Sequence, residues 1–250
     1  MMSLTTVSLT ATLKKQYSYK LRAYNQVFWN LVFLQLLAVL FSLNGVGMMG
    51  SSSESIEVTI HYYSADFVVF FTMIWGLIIA IIITTKAYRN DDFTFVTNRL
   101  SHNLSNLLFL LTACLIGGLT AMLSANVIKV ITYFFDGQLI VDSTSLTSAL
   151  GEFILGTFTT SLYIFLCCAL GYIVGTLVQI HKVFVVLVPV LFFGGLFLLG
   201  VSGNETIVTN FFGFIFKESS ILLFMIKVMV TSGLLFASAF LLSNRMEVKQ

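Results

Sequence analysis

The side chains that could do chemistry in this sequence are few and scattered. His61, His102 and His181 fall in separate polar stretches, and a metal site needs its ligands to converge on one ion. Each of the three reads as a solvated residue at an interface. Cys114, Cys167 and Cys168 lie inside apolar runs with no C-x-x-C spacing, so they read as small buried apolar residues. The sequence holds no G-x-x-x-x-G-K-[ST] loop to cradle phosphates, no H-E-x-x-H and no G-x-S-x-G elbow. Asn103-Leu104-Ser105 and Asn204-Glu205-Thr206 are N-x-[ST] triplets, which are frequent by chance. Pumps and secondary transporters place ionisable groups near mid-membrane. The candidates are Lys129, Glu152 and Lys227, and both lysines read as snorkelling outward on their apolar stems. A chain with so little of its own to drive transport must be driven by another chain, if it transports at all.

The elements that carry these residues follow from composition. Of 250 residues, 58% are hydrophobic and only 10% charged, against about 25% charged in a soluble domain. So few charges cannot solvate a globule, and the apolar surface must meet lipid. A spanning helix needs roughly 20 mostly apolar residues, whereas a membrane β-barrel shows alternating segments of about 10. The runs here are long and continuous, so the expected fold is an all-α polytopic membrane protein with six transmembrane helices. The predicted spans are 27–43, 67–85, 107–125, 153–178, 183–201 and 221–242 in a single transmembrane domain. Asn30 and Gln35 interrupt the first, which predicts that one of its faces packs on protein. Met1 to Asn25 is polar and no small-residue cleavage site follows the first span, so no secretory signal is expected.

Charge sets the predicted orientation. Threading puts Lys14, Lys15, Lys20, Arg22, Lys86, Arg89, Arg99, Lys182, Arg245 and Lys249 on one side, while Lys129, Lys217 and Lys227 fall opposite or within a span. The positive-inside bias makes the first side cytoplasmic, with both termini there. The net charge of +2 offers no basic face for nucleic acid. The first outer loop, Asn44 to Asp66, opens with glycines and serines and reads as flexible at its start; the second is Asp136 to Gly151. Ile207 to Phe216 is apolar but too short to cross. It reads either as an interfacial or re-entrant helix or as an outward extension of the sixth span. In the inner link, Lys86 to Asn106, Phe93, Val96, Leu100 and Leu104 recur at spacings of three and four. That is an apolar stripe on a short helix lying along the membrane. Asp91 and Asp92 suit its N-terminal turn. Phe95 and Arg99 share another face.

This link resembles the cytoplasmic coupling region of the permease subunits of ATP-binding-cassette (ABC) exporters of the second type. That family carries an acidic residue, apolar residues and a Thr-x-Pro-Leu-Ser-Arg-like run between spans two and three. Here Asp91 or Asp92 fills the acidic place and Thr97-Asn98-Arg99-Leu100-Ser101-His102 fills the run, with Arg99 in place of proline and His102 in place of arginine. The resemblance extends to a basic N-terminal segment and a short apolar helix before the last span. It implies a multi-pass permease of the cell membrane, itself no enzyme and without a cofactor. ATP and magnesium would be held by a separate cytoplasmic ATPase. An amphipathic N-terminal helix, roughly Ser8 to Tyr24, and a coupling helix, roughly Asp91 to His102, would meet that ATPase. The coupling residues would be Asp91, Asp92, Phe95, Thr97, Arg99 and His102. A second membrane subunit, identical or not, would complete the path for an amphiphile such as a lipid, peptide or drug. The other reading is a non-ABC membrane protein: an embedded enzyme, a sensor partner or a scaffold.

Overall fold

The computed structural model describes residues 9–43, 47–53, 56–62, 64–88, 99–136, 146–201, 210, 213, 218 and 220–245. The chain opens with α1 (Leu9–Ala23), whose last turn carries Lys20 and Arg22, the charge that a helix C-terminus favours. At Tyr24 the backbone leaves the helix, with φ −100° and ψ 29°, and α2 (Asn25–Ser42) begins at once. The strands β1 (Gly47–Ser53) and β2 (Ile56–Tyr62) then pair antiparallel from Gly47↔Tyr62 to Ser53↔Ile56. Three long helices follow, α3 (Asp66–Ile83), α4 (Arg99–Asp136) and α5 (Leu146–Ile180). A turn at 181–183 leads into α6 (Phe184–Val201), and α7 (Ile221–Arg245) is the last helix.

Helices α2, α3, α4, α5 and α7 are long and apolar enough to cross a membrane, and α6 carries a shorter apolar stretch, Phe184–Gly195. The surface agrees. Phe33 is 70% exposed and Leu40 66%, whereas Thr72 and Asn106 are fully buried. Water would penalise that arrangement, while lipid, which cannot hydrogen-bond, favours it. The chain is an all-α polytopic membrane protein.

Two helices run on beyond the predicted spans, and one predicted loop holds strands. The predicted third and fourth spans understate their helices: α4 starts at Arg99 rather than near Leu107 and continues to Asp136, and α5 starts at Leu146 rather than Phe153. At 1.5 Å per residue they measure about 57 and 52 Å, well beyond a hydrocarbon core of about 30 Å. Helices do not stop where lipid stops, so hydropathy finds the membrane edge and not the helix end. The first outer loop holds a hairpin, and His61 lies in β2 opposite Met48 rather than in a loop. The stretch Ile207–Phe216, apart from Asn210 and Gly213, and the link residues Asp91–Asn98 lie outside the described residues.

The chain divides into two compact units, one from residues 19–76 and 109–164, the other from residues 1–18, 77–108 and 165–250. In the first, α2, α3 and α4 meet around Ala38, Val39, Val68, Ala121 and Ile128. Tyr24 sets its ring edge-on to Phe109, 5.9 Å between centroids, fixing the bend between α1 and α2 to α4. In the second, α5 lies so close to the end of α3 that two glycines are required. A Cβ at Gly171 would strike the Leu77 carbonyl oxygen, and one at Gly175 would strike the Thr84 hydroxyl. Such small-residue contacts let helix backbones approach where lipid removes the hydrophobic drive between helices.

Candidate functional site

The first turns of α4 read Arg99-Leu-Ser-His-Asn-Leu-Ser-Asn106. A polar run at the head of a spanning helix must either reach water or find partners within the protein. It turns inward: Ser101, His102, Asn103, Ser105 and Asn106 are all buried, while Leu100 is 56% exposed. The partner is Tyr172 on α5. Its hydroxyl donates to Asn103 Oδ1 at 3.0 Å and accepts from Asn106 Nδ2 at 3.3 Å. Asn106 Nδ2 also lies 3.2 Å from His102 Nε2. With the amide as donor, that ring nitrogen accepts. Ser105 closes the run by donating to the His102 carbonyl at 2.8 Å. Aromatic rings of α7 seal the far side of Tyr172, with Phe236 at 5.4 Å and Phe240 at 6.1 Å.

Chemically this is a clamp. Amides, a hydroxyl and an imidazole hold one another in register, and no carboxylate takes part in the bonds just described. Among the described residues no group of three or more His, Cys, Asp or Glu could hold a metal ion, and none of the three cysteines forms a disulfide.

The predicted coupling residues fall as follows. Asp91, Asp92, Phe95 and Thr97 lie outside the described residues. Arg99 is the first residue of α4. His102 stands one turn further along and is 7% exposed, which corrects its reading as a solvated residue. The reason is Asn106, one helical turn on, which draws the ring inward. Arg99 and His102 thus belong to the long helix α4, with no break before the span.

Two further polar nodes stand elsewhere. In the first unit, Gln35 Nε2 donates to Thr72 Oγ1 at 3.1 Å and to the Gly117 carbonyl at 3.3 Å, which bears out a protein-facing side for α2 at Gln35. Asn30, by contrast, is exposed. In the second unit, Lys227 pairs with Glu218. On α1 the buried face carries Gln16 and Lys20, at 1% and 0% exposure, so its inner side is polar.

The chain matches no protein-family model, no curated protein and no solved structure. Tyr172, Asn106, Gly171 and Gly175 were not expected from the sequence, and Asn103 stood out only as the start of an N-x-[ST] triplet. The glycine pair had a signal, G-x-x-x-G within an apolar run. The asparagines had none of that kind, since they lie in the polar inner link just before the predicted third span, where amides read as solvated.

Proposed function

We propose that this chain is the membrane subunit of an ATP-driven exporter of the ABC type, energised by a separate cytoplasmic ATPase that holds the nucleotide and magnesium. The chain itself is the permease and not the enzyme. It resides in the cell membrane with both termini inside and pairs with a second membrane subunit. Its substrate is an amphiphile.

The resemblance of the inner link to coupling regions first suggests this reading. One structural observation carries it further. Residues Arg99 to Asn106 of the link form the first turns of α4, continuous with the span, and the second turn of that helix is hydrogen-bonded to α5 through Tyr172. A push on the link would therefore be delivered to two spans together. Packed helices shift as bodies between discrete arrangements, which is what a lever between an ATPase and a transport path requires.

The test is co-purification from native membranes. A soluble ATPase should accompany the chain, and the isolated chain should bind no nucleotide. Phe95→Ala and Arg99→Glu should each weaken recruitment at matched membrane levels, the second more strongly as salt is varied. Undiminished ATPase recovery with both variants, or saturable ATP binding by the chain alone, would overturn the proposal.

A further inference from the structure

Between α2 and α4, within one compact unit, runs an apolar groove of about 490 Å³. On α2 it extends from Val32 to Leu43, a rise of about 16 Å. That is close to one leaflet, half of a hydrocarbon core of about 30 Å. Its walls are aliphatic except for Gln35, Thr120 and Ser124.

The hydrogen-bond inventory of those three residues decides what the groove can hold. Both Gln35 amide protons are committed, one to Thr72 Oγ1 and one to the Gly117 carbonyl. The carbonyl target settles which end of the amide is nitrogen, so Oε1 is the atom left over. Gln35 is 6% exposed and lines the groove, so Oε1 is the polar atom it has to offer a ligand there. Thr120 donates its hydroxyl proton to the Ile116 and Gly117 carbonyls, and Ser124 donates to the Thr120 carbonyl. The remaining lining side chains are hydrocarbon and donate nothing. The wall therefore offers acceptor oxygens and no donor.

We infer that the groove binds a single-chain amphiphile whose polar end carries a hydrogen-bond donor, a hydroxyl or an amide N–H. The donor meets Gln35 Oε1, and the hydrocarbon lies along α2 and α4 toward Leu43 and Ile131. A carboxylate end would face only acceptors and is disfavoured. A plain hydrocarbon end would leave the Gln35 oxygen dry. Binding stands on the groove alone. That the bound amphiphile is also the transported substrate rests on the exporter reading.

The experiment uses the full chain in phosphatidylcholine nanodiscs without any ATPase. Three photoactivatable, alkyne-tagged sixteen-carbon probes are compared: the alcohol, its methyl ether and the alkyl sulfate, which stays anionic and has no donor. The alcohol should label peptides of α2 and α4 about five- to tenfold more than the other two, the range of one hydrogen bond. Gln35→Leu should level the three probes. Val127→Trp leaves the Gln35 bonds intact and should block all three. Equal labelling by alcohol and ether in the wild-type chain, labelling spread over the other helices, or unchanged labelling in Val127→Trp would each overturn the inference. Because no ATPase is present, failure here leaves the exporter reading standing, and loss of that reading leaves the groove standing.

Discussion

At Tyr172 one hydroxyl serves two asparagines, donating to one and accepting from the other. Removing it strands Asn103 Oδ1 in a site that neither water nor lipid can satisfy. Hydrogen bonds between membrane helices average about 0.6 kcal/mol and reach about 1.7, and stranding a buried partner adds to that loss. Tyr172→Phe keeps the ring against Phe236 and deletes only the oxygen. It should therefore cost about 1–2 kcal/mol, read as a lower denaturation midpoint in mixed micelles. An unchanged midpoint would show that the clamp carries no stability. His102 teaches the same lesson from the other side. Its type and its neighbours in the chain read as solvated, yet a tyrosine on another helix provides the buried setting that the ring shares.

Among the elements, α5 is the one whose placement depends on what is missing from it. The path of α3 beside it leaves no room for a Cβ at Gly171 or Gly175, and the atom that a Cβ at Gly171 would strike is the Leu77 carbonyl oxygen, backbone that cannot rotate away. Gly171→Val must push the helices apart or twist its own rotamer, and overpacking of this kind costs typically 1–3 kcal/mol. Gly233 on α7 is the matched control, since a Cβ there meets nothing within 4 Å. Gly233→Ala should be neutral or stabilise by up to about 1 kcal/mol, the gain in helix propensity. Thermal unfolding of the detergent-solubilised protein, followed by loss of the monodisperse peak, should separate the two. Equal behaviour would remove close α3–α5 contact as a determinant of the fold.

For the whole molecule the open quantity is the way the chain is threaded. The basic residues predict that Asn90, Lys182 and the C-terminus lie in the cytoplasm, with Ser52 and Ser143 outside, because lysine and arginine near span ends are retained on the inner side. Fusions of a compartment-sensitive reporter at each position should give that alternation. An outside signal at Asn90 would reverse the threading and take the ATPase-facing link away from any cytoplasmic partner. The turn at 181–183 closes with Phe184 N–H donating to the His181 carbonyl at 3.1 Å, so Lys182 sits at a connection as short as the sequence led one to expect.

Hydropathy alone was enough to place this chain in lipid and to locate the cores of α2, α3 and α7 to within a few residues, because solvation by hydrocarbon is a local demand on about 20 consecutive side chains. The ends of α4 and α5 escaped it, since helix propagation depends on backbone hydrogen bonds that continue past the membrane edge. Gln35 announced a protein-facing side by being polar in an apolar run, but its partners Thr72 and Gly117 stand 37 and 82 residues away. The clamp joins Tyr172 to Asn103 across 69 residues, and the groove exists only because α2 and α4 run side by side. Local pattern reports which solvent a side chain prefers. Which oxygen it meets, and whether a glycine is needed to meet it, depends on contacts between distant parts of the chain that only the tertiary structure decided.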